Sequence, residues 1–430
     1  MAESVGALLS RARKKADSGE PEVAMALFQE ILALEPGNHE ANGYLCSEFL
    51  RRGNAPDAVR YGERAIEAKH DDMQLHYTLA KAYQQLLAQP DCEAHLNVIA
   101  AEQPYAFICL LFVARAQEQR GESWRALLTY TRAINTAQLR GFWHDRESTQ
   151  PWLLSAVQHG VKFARERRIA FYREWLDALS ARHGRDEMRR VAECLQMFLG
   201  VKRLEYADRR QKPSFLYFPG LPVAPVFPRE ALAFADWYES HAERIREEAE
   251  RVLKERNEEI TAFHYDLPED RRNFTAGANW DAYFFFDNGE RFDEHHKACP
   301  ETSNALAQLP LCRVREHSPE VCFSLMRPGA HILPHRGVTN TRTVLHLGLD
   351  IPSGCALNLT EVQELQWEAG KCFAFDDTYE HEAWNRSDRT RVILLCDIWN
   401  PYLTAPEREA IADLIGIIGD FNRETAPIPL

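Results

Sequence analysis

Val321-Cys322-Phe323-Ser324-Leu325-Met326-Arg327-Pro328-Gly329, Pro334-His335-Arg336-Gly337, Thr343-Val344-Leu345-His346-Leu347-Gly348-Leu349, Cys372-Phe373-Ala374-Phe375-Asp376-Asp377 and Val392–Ile398 together decide the fold. Each apolar or alternating piece is short enough for a strand and too short for a globular helix. Pro328-Gly329, Pro352-Ser353-Gly354 and Glu368-Ala369-Gly370 punctuate them with turns. Trp280–Phe286, which ends at Asp287-Asn288-Gly289, and Ala356–Leu359 read the same way. Many short strands at this spacing predict a sandwich or jelly roll.

Upstream, the texture changes at Lys212-Pro213-Ser214, and the prolines of Phe218-Pro219-Gly220-Leu221-Pro222-Val223-Ala224-Pro225 exclude a helix. One charged helix is predicted from about Arg229 to Arg256, with Trp237, Ile245 and Val252 on one side. Residues 141–212 are helical in pattern, with Val161, Ala164, Tyr172, Trp175, Leu176 and Leu179 on one stripe and Met188, Val191, Leu195 and Phe198 on another.

Residues 5–140 repeat with a period of 34. Ala24, Ala58, Cys92 and Ala126 form one column of small residues, and Ala12, Cys46, Ala80 and Ala114 a second. Gly19, Gly53 and Gly121 keep the same phase, and Pro36 and Pro104 close the first and third units. Small residues at two fixed places let paired helices approach closely, while Phe28, Phe49, Tyr83 and Tyr130 fill the gaps. The pattern resembles the tetratricopeptide repeat, with about four units, which stack into a curved solenoid. Such a solenoid can hold a peptide or partner protein, dimerise, or act as a spacer. The organisation read from the sequence is therefore tetratricopeptide-like repeats over 1–140, a helical extension over 141–212 and a β domain over 213–430.

The 430 residues are 45% hydrophobic and 27% charged, an ordinary balance for chains that bury real cores. A formal net charge of -13 argues against nonspecific nucleic-acid binding, which needs a basic footprint. None of the ten cysteines forms a Cys-x-x-Cys pair, so neither a zinc signature nor a disulfide framework is visible. This suits a reducing compartment. No stretch approaches the ~18 apolar residues of a membrane span, and the N-terminus lacks the basic-then-apolar pattern of a signal peptide. A cytoplasmic location is the expectation.

His335 and His381 lie 46 positions apart, the first in a turn-like stretch that follows a strand and Pro334, the second after another strand, and Arg391 lies ten beyond His381. Two imidazoles at the mouth of a small β-barrel can bind Fe(II) through neutral ring nitrogens. The usual non-haem iron site adds a carboxylate two residues after the first histidine, where this chain has Gly337. Arg391, early in the final strand, suits a bidentate grip on a carboxylate. Ser324 can add a hydroxyl, and His346 and Arg342 flank the same pocket. Two histidines and one buried arginine fit 2-oxoglutarate. The bland reading of Arg391 is an ion pair to Asp388 or Glu382.

Cys322 to Thr404 resembles the catalytic domain of the aspartyl/asparaginyl β-hydroxylases. The resemblance rests on Phe323-Ser324-Leu325-Met326-Arg327-Pro328-Gly329, Pro334-His335-Arg336-Gly337 with Thr339-Asn340, and His346-Leu347-Gly348-Leu349. It continues through Phe375-Asp376-Asp377-Thr378-Tyr379-Glu380-His381-Glu382-Ala383-Trp384 and Asp397-Ile398-Trp399-Asn400-Pro401. It implies a double-stranded β-helix, cupin-like oxygenase domain in which His335 and His381 bind Fe(II) without a carboxylate ligand. Ser324 and Arg391 would then hold the distal carboxylate of 2-oxoglutarate, and His346 would lie near its keto-acid end. Asp377 would order an iron-bound water, and O2 would be the second cosubstrate. Relatives often carry two arginines, four and two residues before the histidine of His-Leu-Gly-Leu, implicated in gripping a substrate carboxylate. This chain has Arg342 but Val344. The resemblance thus implies a hydroxylase of a peptide or protein side chain, with the repeats recruiting it. Hydroxylation of a small molecule or acyl chain, or a non-catalytic repeat adaptor, are the alternatives.

Overall fold

The computed structural model describes residues 4–69, 72–87, 89, 106–263 and 279–427. The chain divides into two compact units, Met1–Arg173 with Gly419–Leu430, and Glu174–Ile418.

The first unit is helical. Val5–Asp17 pairs with Pro21–Leu34, His39–Arg51 with Ala55–Ala68, and Ala106–Gln119 with Ser123–Leu139, while Met73–Leu87 packs on Ala55–Ala68. The helix starts are locally coded. Oδ1 of Asn38 accepts from the Ala41 N–H at 3.0 Å, Oγ of Ser4 accepts from the Ala7 N–H at 3.3 Å, and Pro21 and Pro56 sit in first turns that need no donor. Gly19, Gly53 and Gly121 each follow a helix with φ of +74°, +78° and +77°, the left-handed region that favours glycine. Of the two small-residue columns, Ala24, Ala58, Ala126, Ala12, Cys46 and Ala114 are fully buried. Cys92 and Pro104 lie outside the described residues. Helices approach closely at Gly62, where a Cβ would stand 2.8 Å from Leu79 Cδ1 and 3.0 Å from Cys46 Sγ.

The second unit is built on two antiparallel sheets. Its strands are β1 (Thr261–Ala262), β2 (Trp280–Asp287), β3 (Glu290–Arg291), β4 (Val321–Met326), β5 (His331–His335), β6 (Arg342–Asp350), β7 (Cys355–Leu359), β8 (Gln363–Leu365), β9 (Cys372–Phe375), β10 (His381–Asn385) and β11 (Arg391–Trp399). The larger sheet runs β1-β2-β4-β11-β6-β9 with β3 on β2, and the smaller runs β5-β10-β7-β8.

Side-chain alternation sorts the larger sheet into two faces. Val392, Leu394, Cys396 and Ile398 of β11 join Leu345, Leu347 and Leu349 of β6 against Ile245, Ala249 and Val252 of the helix Ala242–Glu255. Ile393 and Leu395 of β11 join Val344 and Phe375 against Ile332, Leu357, Leu359 and Ala383 of the smaller sheet. Both faces of β11 are covered, so all nine residues are buried, and only Arg391 and Asp397 interrupt an otherwise apolar strand.

The six segments predicted as strands are strands, with ends shifted by a residue or so. The two short strands carrying His335 and His381 were not separately predicted. The expected helix from Arg229 to Arg256 is broken into a 3-10 turn Arg229–Ala231, a helix Ala235–Ser240 and a helix Ala242–Glu255. At the second break, Ser240 Oγ donates to the Trp237 carbonyl at 2.6 Å and His241 Nδ1 lies 2.9 Å from it, so side chains take a carbonyl a longer helix would use. Leu154–His183 and Arg189–Phe198 supply the helices expected in 141–212, although Val161 of the predicted apolar stripe is 42% exposed. Among the described residues no helix is long and apolar enough to cross a membrane.

Gly62→Leu forces branched carbons into the space held by Leu79 and Cys46. Overpacking of this kind costs about 1–3 kcal/mol. The thermal midpoint of the helical signal by circular dichroism should fall, and an unchanged or higher midpoint would contradict the close-approach account.

Candidate active site

The inner faces of the two sheets line a cavity. Ser324, His335, Arg342, His346, Asp377, His381 and Arg391, the residues singled out from the sequence, all line it. The strand register explains why. Arg391, Ile393, Leu395 and Asp397 alternate inward along β11, opposite Ser324 on β4 and Val344 and His346 on β6.

On the smaller sheet, His381 opens β10 directly opposite His335, which closes β5. Their ring centroids are 4.1 Å apart. Nδ1 of His381 lies 2.9 Å from the Tyr379 carbonyl, and Nδ1 of His335 2.8 Å from the Leu333 carbonyl. A carbonyl can only accept, so each Nδ1 carries the proton and each Nε2 the lone pair. Burial pushes both imidazoles below their ordinary pKa, His381 well below it. Two neutral imidazoles with fixed tautomers are the state a divalent metal requires.

Among the described residues, no group of three or more His, Cys, Asp and Glu side chains is placed to hold a metal. Gly337 shows why the third ligand cannot come from the usual position. Its N–H donates to the Asp377 carbonyl at 2.6 Å, and a Cβ built on it would run into the Asp377 carboxyl. The acid delivered by the loop before β10 occupies the space in which a side chain at 337 would begin. Burial raises the Asp377 carboxyl to about 7, and its Oδ1 is buried without a hydrogen-bond partner.

At the other end of the inward row, Arg391 is 2% exposed. One guanidinium nitrogen lies 3.3 Å from the Ser324 carbonyl and 3.4 Å from Ser324 Oγ, and Nε is buried without a partner. Asp388 and Glu382 do not pair with it. Glu382 accepts from Asn358 at 3.2 Å and lies 2.8 Å from His331 Nε2. Burial lowers Arg391 only to about 10, so it remains a cation at neutral pH. Trp367 places its ring 4.8 Å from the guanidinium carbon and donates its indole N–H to His346 Nδ1 at 3.1 Å. That bond makes His346 the opposite tautomer, with the proton on Nε2. Burial, helped by Arg391, holds His346 neutral. Trp280 donates its indole N–H to Ser324 Oγ at 2.9 Å.

Arg342 is only slightly exposed and already paired. It donates to Asp377 Oδ2 at 3.2 Å and closely to Asp397 Oδ2. The reading of Arg342 as a grip for a substrate carboxylate meets a guanidinium occupied by two of the protein's own carboxylates.

Sequence reasoning passed over Trp367, Trp280, Glu320 and Asp397. Asp397 carried a signal, as one acid inside the apolar run Val392–Ile398. Trp367 lies in a polar stretch without strand or helix periodicity, and its role depends on a loop fold that no local pattern encodes.

Residues 239–401 match the family model described as Aspartyl/Asparaginyl beta-hydroxylase. The chain is 31% identical over 206 residues to aspartate beta-hydroxylase domain-containing protein 2 of Rattus norvegicus, covering 47% of this chain and 58% of that one. It is 35% identical over 196 residues to the ornithine lipid ester-linked acyl 2-hydroxylase of Rhizobium tropici, covering 45% and 66%. With the aspartyl/asparaginyl beta-hydroxylase of Homo sapiens it shares 31% identity over 239 residues, 53% of this chain and 30% of that one. The chain thus spans less than two thirds of the length of each of these relatives.

Gly337→Ala displaces the Asp377 carboxyl from beside the imidazole pair. Disturbing a group next to metal ligands commonly costs about 10–100-fold in affinity. Calorimetric titration with Mn(II) should show that loss in Gly337→Ala and none in Val338→Ala, whose side chain is exposed. Equal affinities would contradict this reading of Gly337.

Proposed function

Residues 239–401 belong to the aspartyl/asparaginyl β-hydroxylase family, and on that premise we propose that the chain is an Fe(II)- and 2-oxoglutarate-dependent hydroxylase of a side chain in a peptide or protein. The observation that carries the proposal is Arg391, a buried guanidinium with no carboxylate partner among the described residues, in the same cavity as two neutral imidazoles. A buried unpaired charge is costly, and an anion bound there removes the cost. The two facing sheets are read as a double-stranded β-helix and the paired N-terminal helices as tetratricopeptide-like repeats that recruit the substrate.

In this reading His335 and His381 hold the metal through Nε2, oriented by the Leu333 and Tyr379 carbonyls. Arg391 and the Ser324 hydroxyl bind the distal carboxylate of 2-oxoglutarate, with Trp367 fixing the guanidinium plane. His346 offers its Nε2–H near the keto-acid end, and its tautomer is set by Trp367. Phe375, Ile393 and Leu395 keep water from the centre of the cavity. Asp377 stands beside the imidazole pair as an acceptor for a polar hydrogen. When bound, iron with O2 and 2-oxoglutarate supplies the oxidation, one oxygen atom ending on the substrate carbon and the other in succinate as CO2 leaves.

A second reading, hydroxylation of an acyl chain, is supported by the apolar wall at Val344 and by the similarity to the Rhizobium tropici acyl hydroxylase.

Succinate formation from 2-oxoglutarate, with Fe(II) and O2, tests the proposal together with direct 2-oxoglutarate binding. Arg391→Ala removes a charge-assisted hydrogen bond worth about 1.5–3 kcal/mol, so its KM or Kd for 2-oxoglutarate should rise about 10–100-fold. His381→Ala should abolish metal-dependent turnover. A wild-type protein that binds neither metal nor 2-oxoglutarate would leave the repeat-adaptor alternative.

A further inference from the structure

The cavity has a second charged end, opposite Arg391. Arg391 and Asp397 are six residues apart on β11, roughly 20 Å at the strand rise of about 3.3 Å per residue. The far end is lined by Glu320, Asp377 and Asp397, with Arg342 as its cation. Both Asp377 and Asp397 draw on that one guanidinium, and Asp397 Oδ2 also accepts the Glu320 N–H at 3.0 Å. Three carboxyl groups share one arginine, and burial raises Asp377 to about 7 and Glu320 to about 8, so only a further cation at this end would hold all three as carboxylates. Two acceptors there, Asp377 Oδ1 and Glu320 Oε1, are buried without a hydrogen-bond partner, and Asp377 is only 4% exposed. Val344 adds an apolar wall and no donor.

A substrate carboxylate entering this end would be a fourth acid competing for a guanidinium that Asp377 and Asp397 already share. Like-charge juxtaposition in a desolvated site is strongly unfavourable. An ammonium brings three donors and a guanidinium five, together with the missing positive charge. Resting on the oxygenase reading above, we propose that the group hydroxylated here belongs to a cationic side chain, lysyl or arginyl, rather than to an aspartyl residue. Glu320 is the specificity-determining residue, with its unpartnered Oε1 as the acceptor for the substrate's charge. Asp377, which adjoins Gly337 beside the imidazole pair, sets that charge close to the reacting carbon.

The test uses the full chain with Mn(II) and three heptapeptides that differ only in a central Lys, Arg or Asp. Calorimetry first measures 2-oxoglutarate binding, and fluorescence anisotropy then measures each peptide's Kd in the ternary mixture. Repeating the reaction with Fe(II) and O2 reads the 16-Da mass gain. The Lys or Arg peptide should bind about tenfold or more tightly than the Asp peptide, and it alone should gain mass. Glu320→Gln, which keeps the shape and removes the charge, should shrink the preference to about threefold or less, and Val344→Arg should shift it toward Asp. If 2-oxoglutarate binds but the Asp peptide is preferred, all three bind alike, or none binds, this inference fails and the oxygenase reading stands. If 2-oxoglutarate itself does not bind, the oxygenase reading fails and takes the inference with it.

Discussion

A guanidinium held out of water without a counter-ion is the constraint on which the rest of this domain depends. Arg391 sits at the first position of β11, a strand buried along its whole length, under the Trp367 ring and beside Ser324. An isolated ion in such a place is stable only if a well-packed surround fixes it and a ligand repays its desolvation. The helix layer on one side of β11 and the smaller sheet on the other provide that surround. Without them the arginine would turn out to solvent and the cavity would lose its anion-seeking end.

The same strand organises everything else at the site. Its outward residues Val392, Leu394, Cys396 and Ile398 anchor it to the helix layer. Its inward residues run from a cation at Arg391, through the apolar Ile393 and Leu395, to an acid at Asp397. The result is a polarised cavity, cationic and tryptophan-lined at one end and lined with carboxyl groups at the other. His335 and His381 enter from the smaller sheet, where their strands pair them face to face. Gly337 and Asp377 form one steric unit beside them, since the acid fills the space a side chain at 337 would need.

Much of this was legible in the sequence because it rests on local signals. Short apolar runs between Pro-Gly turns gave the strands, and the ordered motifs around His335, His346, His381 and Arg391 marked residues that the cavity brings together. What was not legible depends on tertiary placement. β5 contains Pro334 and β10 mixes Glu382 with Trp384, so neither carries a clean alternation. The break at Ser240 and His241 comes from side chains taking a backbone carbonyl, an event invisible to periodicity. Arg342 looked available for a substrate because nothing in the chain order shows that Asp377, 35 residues on, and Asp397, 55 residues on, would meet at its guanidinium.

The most direct measurement of the central claim compares two keto acids that differ only in the distal carboxylate. Calorimetric titration of the Mn(II)-loaded protein with 2-oxoglutarate and with 2-oxopentanoate isolates what Arg391 recognises. The account predicts that 2-oxoglutarate binds about 10–100-fold more tightly, the worth of a charge-assisted hydrogen bond in a dry site, and that Arg391→Met removes the difference. Equal affinity of the wild-type protein for both acids, or a preference that survives Arg391→Met, would show that the buried guanidinium is not the anchor the site is built around.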